Sequence, residues 1–131
     1  MDAAAYDGLA RALRALHRTL MERAQRDYER VNITTVSPGE LLKLLTTGEE
    51  FAWLRELSEL MADIDVVRDA DGAERDEAAY SVRSAVDHLF ANPDADTPFA
   101  RHYWTCVHED PNVAMAHAAV RQALNAFPKQ A

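Results

Sequence analysis

Residues Glu50–Asp69 read EFAWLRELSELMADIDVVRD. At about 100° per residue, Trp53, Leu54, Leu57, Leu60, Met61, Ile64 and Val67 fall within an arc of roughly 140°. Arg55, Glu56, Glu59, Ala62 and Asp63 take the other side. So wide an apolar stripe predicts a helix over residues 49–69 with neighbours on more than one flank. It therefore belongs at the middle of a bundle.

On the N-terminal side, Thr47-Gly48-Glu49-Glu50 has the form of a capping box that launches this helix. Ser37-Pro38-Gly39-Glu40 has the same form, with proline suited to a first turn. It opens a short helix over 40–46. There Leu41, Leu42, Leu44 and Leu45 cannot all face one way, which predicts a wedge between longer helices. The preceding NITTV, residues 32–36, is β-branched but has no second strand to pair with, so it reads as an extended connector. The chain begins with its longest helix, about 3–31. Tyr6, Leu9, Leu13, Leu16, His17, Leu20, Met21, Ala24, Tyr28 and Val31 share one face of it, and Arg11, Arg14 and Arg18 share another.

On the C-terminal side, Asp69-Ala70-Asp71-Gly72 marks a turn, and Asp71 with Glu74 can cap a helix over about 75–91. Asn92-Pro93-Asp94-Ala95-Asp96 is the most loop-like segment. Thr97-Pro98 and Asp110-Pro111 then start helices over about 97–108 and 111–126. The expected fold is all-α: one domain, residues 1–131, as a compact bundle of five main helices plus one short helix.

The totals narrow the function classes. The formal net charge is -8, which argues against nucleic acid or an anionic lipid surface as partner. Cys106 is the one cysteine, so no disulfide forms within the chain, as suits a reducing cytoplasm. No apolar run of about 18 residues is present to span a membrane. The N-terminus lacks a basic start followed by an apolar block and is not read as a secretory signal.

Candidate chemistry starts with His17, which lies in the first helix's stripe, and with His102 and His117 at stripe edges of the last two helices. Imidazoles converging inside a bundle hold zinc, iron or haem. Separately hydrogen-bonded histidines at the core margin are the plainer account. No Glu-x-x-His spacing occurs, and the run from His108 to Asn112 fails the zinc-protease pattern at Asn112 and Pro111. His102 and Cys106, four apart, have a two-ligand or Cys–His spacing, although a lone buried cysteine is commonly just a small apolar residue. The acids from Asp63 to Glu74 do not match a calcium loop, and Asp65 is expected to pair with an arginine such as Arg68 or Arg83. Arg11, Arg14 and Arg18 form a cationic strip that could dock an acidic partner or another copy of the chain. A solvated face with a local Arg18–Glu22 pair is the simpler account. Trp104 and Tyr80 project off their helices' stripes and are candidate anchors of a subunit contact.

The segment from Tyr28 to Asp65 resembles the core of an uncharacterised family of small bacterial all-α proteins. Tyr28-Glu29-Arg30-Val31, Ser37-Pro38-Gly39-Glu40-Leu41-Leu42 and Phe51-Ala52-Trp53-Leu54-Arg55 carry the resemblance. It implies a small helical bacterial protein and no activity. With no nucleotide loop, triad or complete metal set in the sequence, the expected function is a cytoplasmic, non-enzymatic protein-interaction module able to self-associate as a homodimer. No cofactor is implied. The alternative is a bundle that binds metal, haem or a small apolar ligand through His17, His102 and His117.

Overall fold

A computed structural model describes residues 1–90 and 96–129. Its helices are α1 (Ala3–Asn32), α2 (Pro38–Thr47), α3 (Ala52–Arg68), α4 (Gly72–Phe90), α5 (Pro98–Glu109) and α6 (Pro111–Leu124), with a short 3-10 turn at Glu49–Phe51 leading into α3. The fold is all-α, with no strand among the described residues. The expected end of α4 at Ala91 and most of the expected 92–96 loop lie outside those residues.

The helix starts obey local chemistry. Asp2, Ser37, Thr97 and Asp110 accept hydrogen bonds from the first free backbone N–H groups of α1, α2, α5 and α6. Asp71 does the same for the Glu74 N–H at 2.8 Å. Thr47 departs from expectation. Its hydroxyl turns back to the Lys43 carbonyl, and α3 begins through the 3-10 turn with no side-chain cap. Gly48 marks that junction because a Cβ there would lie 2.7 Å from the Leu44 carbonyl oxygen.

α3 takes the expected place among several neighbours, touching α1, α2, α4 and α5. Trp53, Leu54, Leu57 and Ile64 are buried, Leu60, Met61 and Val67 are half-buried, and Val66 is exposed. α1 is the other long core element. Its Tyr6, Leu9, Leu13, Leu16 and Leu20 have no exposed surface, and its most extensive packing is against α6 and α3. A 30-residue helix is about 45 Å long and can span the whole core. α2 departs from expectation, because it is not a wedge. It has no buried residue and packs at the edge against the 3-10 turn and α3, leaving Leu42 exposed.

Three arginines donate to backbone carbonyls at or just past helix ends. Arg55 donates to the carbonyls of Gly48 (2.6 Å) and Leu45 (3.3 Å) past α2. Arg75 donates to Ala70 (2.7 Å) past α3. Arg83, buried on α4, donates to Leu124 (2.7 Å) and Phe127 (2.8 Å) at the end of α6. Each places a cation at the negative pole of a helix, and the Gly48 and Leu124 oxygens also accept the N–H groups of Phe51 and Phe127.

Candidate functional site

A groove of about 550 Å³ lies between the C-terminal half of α1, the start of α3 and α5. Ala24, Tyr28, Phe51, Trp53 and Cys106 supply apolar surface. Tyr28 and Phe51 meet with ring centres 5.8 Å apart, so the 3-10 turn is pinned to α1 there. Trp53 is wedged between Phe99, at 6.0 Å, and His102, which stacks on it at 5.1 Å with the rings 11° apart.

The rim is polar and its charges are mostly answered. Arg23 is held by Asp27 (2.9 Å) and Glu109 (2.6 Å), and these carboxylates push its pKa further up. Arg101 pairs with Asp96. Glu50 has no ion-pair partner among the described residues and is exposed.

Nothing in the groove is primed as a nucleophile. Burial pushes the Cys106 thiol above its ordinary pKa, and Arg23 offsets that only in part. A raised thiol pKa leaves little thiolate at neutral pH. Burial, aided by Arg101, lowers the pKa of His102, and its ring is engaged on Trp53. No hydrogen bond joins His102 to Cys106. Their four-residue spacing places both on the groove wall without assembling them as a pair.

The three histidines weighed as a shared site have separate neighbours, as the plainer account expects. His17 Nε2 lies 3.0 Å from Ser58 Oγ on α3. The Ser58 hydroxyl also lies 3.3 Å from the Leu54 carbonyl one turn back. His117 Nδ1 is hydrogen-bonded to the Tyr103 hydroxyl at 2.5 Å, in a cluster with Phe90 and Trp104. Among the described residues no group of three or more His, Cys, Asp or Glu side chains could hold a metal ion. Trp104 is half-buried in that cluster, its indole nitrogen buried without a partner, and Tyr80 is half-buried on α4. Asp65 pairs with Arg68 at 3.2 Å.

These histidines carry a pH dependence. Burial lowers the folded pKa of His17, His102 and His117 below the ordinary value of 6.5. The unfolded chain therefore takes up protons first as pH falls. Stability is full above about pH 6.5 and declines as pH drops toward and through the lowered folded values. Urea midpoints should fall between about pH 7.5 and about pH 5. The fall should be shallower in a His117→Asn variant, and an unchanged slope would count against this account.

The groove could be read from sequence only in part. Trp53, His102 and Cys106 stood out by type and spacing. Tyr28, Phe51 and Asp27 did not, because only the antiparallel return of α3 along α1 brings them together. No protein-family model matches the chain, and no curated protein or solved structure is significantly similar to it.

Proposed function

We propose that the protein is a non-enzymatic interaction module that receives an apolar anchor of a protein partner in the α1–α3–α5 groove. The observation that carries this is the groove itself: an open concavity over Tyr28, Phe51 and Trp53, with a thiol whose pKa burial raises. The anchor is flanked by a basic residue, because Glu50 is the rim charge left unanswered and the chain carries a net charge of -8. A bacterial, cytoplasmic setting belongs to the same proposal, from the resemblance of residues 28–65 and the single buried cysteine. No helix among the described residues is long and apolar enough to cross a membrane.

Selection from a random displayed-peptide library on the folded protein tests the proposal. Enriched peptides should pair a bulky apolar residue with a neighbouring Lys or Arg. Thr105 is an exposed residue of the groove wall, so Thr105→Trp should fill the groove and weaken those peptides about tenfold or more while helical content stays unchanged. Peptides indifferent to Thr105→Trp, or no enrichment at all, would overturn it.

A small apolar ligand is the second reading, favoured by one observation. The groove volume of about 550 Å³ lies in the range of sites for drug-sized molecules. Native mass spectrometry of the purified protein separates the two, since a retained small molecule would appear as a discrete added mass.

A further inference from the structure

The arginines of this chain divide into three sets. Arg23, Arg26, Arg30, Arg68, Arg83, Arg101 and Arg121 lie within ion-pair distance of a carboxylate. Arg55 and Arg75 donate to backbone carbonyls. Arg11, Arg14 and Arg18 have no carboxylate at that distance among the described residues, the local Glu22 included, and all three are exposed. Their spacing places them on one crest of α1.

Beside that crest runs α3, antiparallel to α1. The order of contacts establishes its direction: Tyr28 meets Phe51, His17 meets Ser58, and Asp7 lies 3.9 Å from Arg68. By the same helical spacing, Glu59, Ala62, Val66 and Asp69 form the outward crest of α3, with Asp63 at its side. All five are exposed, Val66 at 72%. Glu59 and Asp63 have no basic partner among the described residues. A positive crest and an acidic crest with a bare valine thus run side by side on one two-helix face.

We propose that this α1–α3 face is where two copies of the chain meet. A two-fold axis running along the groove between the two helices lays α1 of each subunit over α3 of the other. Arg11, Arg14 and Arg18 then face the partner's Glu59 and the partner's Asp63, and Val66 is covered in both subunits. An axis running across the helices would set arginine against arginine, so charge selects the first arrangement. This deepens the interaction-module reading but uses none of the α1–α3–α5 groove. Thr105→Trp leaves the dimer intact, and reversing the crests leaves groove binding intact.

Sedimentation velocity on the full chain tests it. The wild-type protein should self-associate reversibly, with a dissociation constant that rises about tenfold or more from low to high salt. Arg14→Glu with Arg18→Glu should be monomeric, and so should Glu59→Lys with Asp63→Lys, each with wild-type helical content. Mixing the two variants should restore a dimer, because each reversed crest then meets its complement in both contacts. A wild-type monomer at millimolar protein in low salt would overturn the proposal. So would a dimer that neither salt nor either pair of reversals weakens.

Discussion

Replacing Arg83 with alanine is expected to lower folding stability by about 3 kcal/mol, at the low end of the range for removing one member of a buried polar constellation. Arg83 is 5% exposed, and its Nη1 donates to two carbonyls at the end of α6. Alanine leaves the Leu124 and Phe127 oxygens without that donor in a site that water reaches poorly, and it opens a void where the guanidinium stem packed. The loss stays at the low end because Asp87, the ionic partner at 3.4 Å, keeps Arg121 at 2.7 Å. Arg83→Lys should recover only part of the loss, since a single ammonium on a shorter stem cannot serve both carbonyls and also replace the Nε contact to Asp87. Urea unfolding followed by circular dichroism measures both variants. A loss below about 1 kcal/mol for alanine would mean that the bonds contribute no more than an ordinary surface contact.

Leu13→Ala should cost about 3–4 kcal/mol, whereas Leu42→Ala should fall within about 0.5 kcal/mol of wild type. The chemistry of the two changes is identical. Leu13 has no exposed surface and sits among the core side chains of α1, whereas Leu42 is 67% exposed on α2. Truncation at Leu13 removes both the transfer energy of the side chain and the contacts of the walls around it. At Leu42 there are few walls to lose. For a domain whose whole stability is on the order of 5–15 kcal/mol, the first change is a large fraction of the total. Parallel urea curves decide the matter, and equal losses at the two positions would contradict the placement of α2 at the edge.

Much of the fold could be read directly because it is decided locally. Ser37, Asp71, Thr97 and Asp110 each precede a helix and each caps one, since capping needs only a side-chain oxygen a few atoms from a free N–H. Thr47 misled for the same reason. Its hydroxyl had a second local option, the carbonyl four residues back, and took it. Arg83 was legible in principle. Ala79, Val82, Arg83, Val86 and Phe90 follow the spacing of one buried face, so an arginine stands where an apolar residue is expected.

By itself the sequence determined an all-α chain, the number and approximate limits of its helices, and which face of each is apolar. Helical periodicity and caps depend on residues within a few positions of one another. Tertiary structure alone decided that the leucines of α2 stay at the rim and that His17, His102 and His117 part company. It also decided that Tyr28, Phe51, Trp53 and Cys106 line a common groove. Those outcomes depend on which stripe meets which, and several helices here carry stripes greasy enough to compete. Length and volume settle that competition, because only α1 is long enough to lie against α3 and α6 along most of the core.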